Sequence, residues 1–264
     1  MSEATLTTTD FPEWTILYHG GGSFKGRGEF LRLLLEDKGV PYKDTGENLY
    51  GPTGLMDCFR GSADAILAGN NASSDDTNQP NPVFFPPAIW HRPKDGSEEG
   101  RINQVGACMM YMGEQLGYYP SSSSAERARA NCILLNCLDY IGSGRSSFHP
   151  VKDSMSYKDQ KEEGDKASLL WSQTRMTLWL AHFEKVVQKY GPTSPVAGGE
   201  NVTYADFALF HILDATVAQF NNEKYNMAWD NLTIIPNLKQ YYAWMKARPN
   251  LKAYQTSDRV IRKW

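Results

Sequence analysis

The sequence predicts a two-domain protein in which a small α/β domain is followed by an all-helical domain. Strand-forming and helix-forming segments alternate only in the first half of the chain, whereas every apolar pattern after residue 124 has helical spacing. The composition also changes at "YYPSSSS", where turn-forming residues separate the two halves. We therefore predict an α/β domain over residues 14–118 and a helical domain over residues 124–264.

The α/β domain is predicted to begin with a strand, a helix and a second strand. "WTILYHG" is rich in strand formers, and from Glu29 to Lys38 apolar side chains recur on one helical face before Gly39. "VPYKDT" then returns to an extended pattern, which completes the spacing of a βαβ unit with parallel strands. "VFFPPAIW" predicts a further strand that is interrupted by two prolines, and "INQVGACMMYMGEQLG" predicts a helix over residues 102–117. Between them, residues 69–82 consist almost wholly of turn formers and predict a long surface loop.

The helical domain is predicted from four amphipathic segments. These are residues 125–141, 165–191, 203–220 and 237–251. The third segment begins with "NVTYADF", in which Thr203 is predicted to cap the helix and Asp206, three residues later, to bond back to it. Asp206 is therefore expected to be structural rather than an acid–base group.

Composition excludes several classes of function. The net charge of −3 gives no electrostatic reason to expect binding to nucleic acid or to an anionic membrane. The chain has no long apolar run, so we predict no membrane span. Its four cysteines form no C-x-x-C pair and its five histidines no i, i+4 pair, so no metal site is predicted. This usage of cysteine favours a reducing compartment, and we expect a cytoplasmic protein.

The glycine-rich stretch "YHGGGSFKGRGEF" raises the question of a phosphate-binding loop. A P-loop needs a lysine and a hydroxyl residue after its last glycine, and Arg27 and Gly28 stand there instead. A dinucleotide fingerprint needs a third glycine where Leu31 stands. What remains is a tyrosine at a strand end, a loop, and a helix start that bears Arg27. Backbone N–H groups and positive charge at such a helix start favour a thiolate or a carboxylate.

Five motifs in this order resemble the cytosolic glutathione transferases over the whole chain. They are "LYHGGGSFKGRGEFLRLLLEDKGVPY", "FFPPAIW", "INQVGACMMYMGEQLG", "NVTYADFALF" and "ARPNLKAYQTSDR". The resemblance implies a thioredoxin-like first domain and a helical bundle as the second. It implies a transferase that takes glutathione as co-substrate, needs no metal, joins the glutathione sulfur to a hydrophobic small molecule, and forms a homodimer. The alternative is a transferase-like binding or scaffold protein with weak or no activity.

The resemblance assigns thiol activation to the glycine-rich loop. Tyr18 matches the tyrosine whose phenol bonds the glutathione thiolate, and Arg27 would add positive charge beside it. The loop is longer than usual, so Ser23 is a rival, because serine-type members place their hydroxyl at the start of this helix. The sequence therefore does not decide which of the two hydroxyl groups activates the thiol.

The resemblance also implies a glutathione-binding set with two departures from the family pattern. Pro87 matches the cis-proline, with Pro86 and Ala88 beside it. The residue before the cis-proline normally offers an N–H, which Pro86 lacks. In the alternative register Pro86 is the cis residue, and Phe85 before it keeps its N–H. Gln104 matches the family's Gln-Ser or Gln-Thr pair, but Val105 lacks the hydroxyl that binds the γ-glutamyl carboxylate. The electrophile is expected to contact residues of the helical domain, namely Tyr140, Phe148 and His149.

Overall fold

The computed structural model describes residues 13–18, 25–45, 86–98, 100–120, 123–153 and 155–260. The chain divides into two compact units. The first is formed by the chain up to Met112 together with Ala253–Lys263, and the second by Gly113–Lys252. The final segment therefore packs with the first unit, whereas the sequence assigns it to the helical domain.

The first unit contains a four-stranded sheet. Its strands are β1 (Trp14–Leu17), β2 (Tyr42–Thr45), β3 (Ala88–His91) and β4 (Gly100–Asn103), in the spatial order β2-β1-β3-β4. β1 and β2 are parallel, which confirms the predicted βαβ unit, and the other neighbouring pairs are antiparallel. Together with the helices described below, this sheet is consistent with the predicted thioredoxin-like domain.

β4 corrects one expectation from the sequence. Residues 102 and 103 were predicted to open a helix, but they lie in a strand, and helix α2 spans Val105–Leu116. The change of direction falls at Gln104, whose φ of 69° lies in the left-handed region that non-glycine residues seldom adopt. Propensity could not reveal this turn because glutamine is not a turn former.

Helix α1 spans Glu29–Lys38, as its apolar spacing predicts. A short 3₁₀ turn, Gly26–Gly28, leads into it, and Gly39 ends it with a φ of 71°. Gly39 donates its N–H to the carbonyl of Glu36, which satisfies one of the last carbonyl groups of the helix. Phe30, Leu31, Leu34 and Leu35 are fully buried, so the predicted apolar face forms the core of this unit.

The second unit is helical throughout the part that the structure describes. Its helices are α3 (Ser124–Phe148), α4 (Lys161–Trp171), α5 (Thr177–Tyr190), α6 (Tyr204–Phe220) and α7 (Pro236–Lys246), and α8 (Pro249–Thr256) begins in this unit. A π-helical turn, Ser172–Met176, joins α4 to α5 without a break, and the last predicted segment is divided before Pro249. Among the described helices, none is both long and apolar enough to cross a membrane.

Two buried carboxylates hold the helical unit together at helix starts. Asp206 accepts bonds from the Thr203 N–H at 2.7 Å and from the Val196 N–H at 2.9 Å, and the capping box with Thr203 is present as predicted. Glu184 of α5 accepts bonds from the N–H groups of Asn237 and Leu238 at 3.2 and 2.8 Å, which caps α7 from another helix. Each carboxylate satisfies N–H groups that a helix cannot satisfy itself.

Candidate functional site

Tyr18 lies directly after β1, where the chain leaves the sheet. Its side chain is 6% exposed, and its hydroxyl accepts a bond from the backbone N–H of Arg27 at 2.9 Å. Arg27 belongs to the 3₁₀ turn that opens into α1, and its own side chain is exposed. The phenol oxygen therefore lies at the N-terminal end of a helix, where backbone N–H groups and the helix dipole favour negative charge.

The sheet register brings three of the predicted site segments to one end of the sheet. Leu17 of β1 pairs with Ala88 of β3, and Ala88 pairs with Asn103 of β4. Tyr18, Pro87 and Gln104 are the next residues beyond these last pairs, so all three lie at the same end of the sheet.

The proline pair directly precedes β3, and the bond between Pro86 and Pro87 is cis. Pro87 is thus the cis residue, and the alternative in which Pro86 is cis is not observed. Pro86, Pro87 and Ala88 are all buried. Since Pro86 carries no N–H, only its carbonyl could pair with the backbone of a ligand here.

Gln104 and Val105 form the junction between β4 and α2. Gln104 is exposed and in the left-handed region, while the Val105 side chain is 4% exposed at the first position of the helix. The carbonyl of Gln104 accepts the N–H of Cys108 at 2.9 Å, so the first turn of α2 is formed from its start. The free first N–H groups of any helix attract carboxylates, but Val105 offers no hydroxyl to add to them.

Behind Tyr18 lies a buried guanidinium that sequence reasoning missed. Arg32 of α1 is 1% exposed; its Nε donates to the Asp44 carboxylate, and its Nη1 donates to the Glu29 carboxylate at 3.2 Å and to the Lys25 carbonyl at 3.1 Å. The hydroxyl of Tyr254 reaches the same Glu29 carboxylate at 3.2 Å, which ties the end of the chain to α1. The signal that could have revealed Arg32 is the Glu29–Arg32 spacing of i, i+3.

Burial controls the titration of this cluster. It raises the pKa of Glu29, against the opposing effect of Arg32 and Lys25. Burial alone would lower the pKa of Arg32, but the Asp44 and Glu29 carboxylates have the larger combined effect and raise it, so the guanidinium stays charged.

Burial also raises the pKa of the thiols of Cys108 and Cys137, which makes both poor nucleophiles.

The three residues expected to meet the electrophile lie in the second unit. Tyr140 is 3% exposed and bonds Thr216 Oγ1 at 2.6 Å, which makes it a core residue there. Phe148 ends α3, seven residues beyond the predicted end of that helix, and packs 5.5 Å from the ring of Phe220. The Nδ1 of His149 lies 2.9 Å from the Met155 carbonyl. Their contact with a substrate stays a prediction, which the burial of Tyr140 does not support.

Two predictions fall outside the described residues. Ser23, the rival of Tyr18, is one, and the loop predicted over residues 69–82 is the other. Within the part of the chain that the structure covers, no three His, Cys, Asp or Glu side chains are grouped so that they could hold a metal ion.

Comparisons with known proteins agree on one family. The family profile described as "Glutathione S-transferase, C-terminal domain" matches residues 146–258. The chain is 28% identical over 165 residues to the glutathione S-transferase class-mu 26 kDa isozyme 1 of Fasciola hepatica; this alignment covers 62% of the chain and 62% of that relative, so the chain spans about three fifths of its length.

Solved structures show the same fold. The chain resembles the Fasciola hepatica sigma-class glutathione transferase with a TM-score of 0.62 at 16% identity, covering 92% of this chain and 95% of that one. It resembles the Pi-class glutathione S-transferase of Onchocerca volvulus with a TM-score of 0.57 at 21% identity and 92% coverage of both chains. At these identities the likeness establishes the architecture, and the chemistry depends on the residues described above.

Proposed function

We propose that this chain is a cytosolic glutathione transferase, which joins the sulfur of glutathione to hydrophobic electrophiles. One observation carries the proposal. A strand-end tyrosine, a cis-proline and a helix N-terminus occupy one end of the sheet. We place the reaction in the cytoplasm, in keeping with the cysteine usage.

In this proposal Tyr18 stabilises the ionised sulfur. The Arg27 N–H occupies a lone pair on the Tyr18 oxygen, which directs the hydroxyl proton away from that N–H and towards a bound sulfur. The thiol of glutathione releases its proton to water, and the thiolate accepts the bond from the Tyr18 hydroxyl. The thiolate then attacks an electrophilic carbon, so that a C–S bond forms and the leaving group departs with its electron pair. Tyr18 keeps its proton throughout.

The γ-glutamyl carboxylate is proposed to lie at the start of α2, beside Gln104 and Val105. This site has the helix N-terminus but lacks the side-chain hydroxyl, and Pro86 lacks an N–H. A charge-assisted hydrogen bond contributes about 1.5–3 kcal/mol. We therefore expect glutathione to bind more weakly than a site with serine or threonine at residue 105 would allow.

Val105→Thr is expected to tighten glutathione binding about tenfold, because threonine has nearly the same shape and restores the missing donor. Isothermal titration of glutathione measures this directly. The matched control is Val105→Ala, which changes the side chain without adding a hydroxyl and should not improve the affinity. If the threonine variant bound no better than the wild type, the carboxylate would not lie at Val105.

The function itself is tested by the conjugation of glutathione to a chlorodinitrobenzene-type electrophile. We expect purified protein to accelerate this reaction and to be retained on immobilised glutathione. The departures at Pro86 and Val105 favour one other function, a binding or scaffold protein of the same fold with little activity. Failure both to bind glutathione and to accelerate the reaction would support that alternative.

We also propose that the protein is a homodimer. Three leucines of the helical unit are more than half exposed: Leu135 on α3, Leu170 on α4 and Leu178 on α5. Asn136, next to Leu135, lies 3.2 Å from His182, one helical turn after Leu178, so α3 and α5 meet beside two of these leucines. Exposed apolar side chains on neighbouring helices are typical of a surface that another copy covers.

A further inference from the structure

The ring of Tyr18 lies directly against Gly28. A Cβ atom added to Gly28 would stand 2.7 Å from Tyr18 Cδ1 and 3.0 Å from Tyr18 Cγ, which is closer than carbon atoms pack. It would also stand 2.9 Å from Nη2 of Arg32. The space that any other residue would fill at Gly28 is thus already taken by the phenol and by the buried guanidinium.

The backbone conformation at residue 28 does not require a glycine. Its φ of −65° and ψ of −28° are right-handed helical values that every residue adopts readily. Glycine at a helical position is less favourable than alanine by roughly 0.5–1 kcal/mol. The need for glycine must therefore come from the close approach of the two side chains.

Arg32 cannot give way to a larger residue at Gly28. Its guanidinium is bonded to Asp44, to Glu29 and to the Lys25 carbonyl, and it is 1% exposed. Among the described residues no hydrogen-bond partner of its Nη2 is found, and its Cζ lies 5.8 Å from the centroid of the Tyr18 ring, within the range of a cation–π contact. A buried cation bonded to two carboxylates cannot move away easily, so a Cβ at Gly28 would displace the phenol instead.

We infer that Gly28 is a positioning residue for Tyr18, with Arg32 as the fixed wall behind it. The absent side chain lets the phenol lie against the start of α1, and this contact holds the hydroxyl 2.9 Å from the Arg27 N–H. The inference rests on the proposed function, because it assigns Gly28 a role in aiming the donor at the glutathione sulfur. It also gives the second glycine of "GRGEF" a role that does not depend on a phosphate-binding pattern.

Gly28→Ala tests the inference. We expect kcat for conjugation to fall by about 10–100-fold, as for other small misplacements of a reacting group, with little change in KM for glutathione. The pH–rate profile should move to higher pH, as it should in Tyr18→Phe. In the double variant, Gly28→Ala should cause no further loss beyond that of Tyr18→Phe, since it acts through the same hydroxyl.

Gly100→Ala is the matched control. Gly100 is also in the first unit and faces a tyrosine, since an added Cβ would stand 3.0 Å from the hydroxyl of Tyr111. This variant should lower thermal stability while the pH–rate profile stays in place. If Gly28→Ala behaved like Gly100→Ala, or if its loss added fully to that of Tyr18→Phe, the inference would be overturned.

Nuclear magnetic resonance separates this inference from the function. In protein with labelled tyrosine rings, the Tyr18 signal is identified by its absence in Tyr18→Phe. We expect this signal and the Arg27 amide signal to move in Gly28→Ala, whether or not the wild type is an active transferase. Unchanged Tyr18 and Arg27 signals would contradict the positioning role, whereas moved signals without wild-type activity would contradict the proposed function alone.

Discussion

Tyr18→Phe is expected to lower kcat/KM for conjugation at neutral pH by roughly 10–100-fold. The ring of phenylalanine fills the same space but has no hydroxyl, so the thiolate loses one hydrogen bond to a charged group, which contributes about 1.5–3 kcal/mol. The same loss should raise the pH at which the rate reaches half its maximum by about 1–2 units, because 1.36 kcal/mol corresponds to one pH unit. Steady-state rates measured between about pH 5.5 and 9 report both effects.

Ser23→Ala is the matched comparison for this prediction. The two hydroxyl groups are the rivals that the sequence leaves open, and only Tyr18 lies among the described residues. We expect Ser23→Ala to keep most of the activity and the wild-type pH profile. A silent Tyr18→Phe together with an inactive Ser23→Ala would transfer the role to Ser23.

Asp206→Ala is expected to produce the largest loss of stability in the helical unit. Asp206 is fully buried and accepts bonds from the N–H groups of Val196 and Thr203 and from the Tyr241 hydroxyl. Removal of the carboxylate leaves these buried donors unsatisfied and removes the Asp206 half of the capping box of α6. We expect the free energy of unfolding to fall by about 3–5 kcal/mol, measured by chemical denaturation followed by circular dichroism.

Asp214→Ala provides the control on the same helix. Asp214 is half-buried and accepts the hydroxyl of Tyr242 at 2.8 Å, but it caps no helix. Its removal should cost less than half as much as the removal of Asp206. Equal losses in the two variants would mean that capping contributes little to the effect at Asp206.

The elements that local pattern determines could be predicted from the sequence. α1 follows from its apolar face and from Gly39, and the start of α6 follows from Thr203 and Asp206, because each signal lies within a few residues of the structure it causes. Local pattern does not choose between the adjacent prolines Pro86 and Pro87; the resemblance matched Pro87 to the cis residue, and this is the one observed.

Features that depend on distant partners could not be predicted. The burial of Arg32 depends on Asp44, twelve residues away, and the Glu29 carboxylate that it bonds is reached by Tyr254, 225 residues away. β4 was missed because its four residues are too few for a pattern and pairing with β3 decides their conformation. The extension of α3 to Phe148 was missed because its last turns contain glycine and serine, which disfavour helices unless packing compensates.

The pKa of the bound glutathione thiol reports whether Tyr18 activates it. The thiolate absorbs in the ultraviolet, so a pH titration of the protein–glutathione complex gives the pKa of the bound thiol. We expect a pKa well below the value of about 8.5 for a free thiol, and a return towards that value in Tyr18→Phe. An equally low pKa in wild type and Tyr18→Phe, or a pKa of a free thiol in both, would contradict the account.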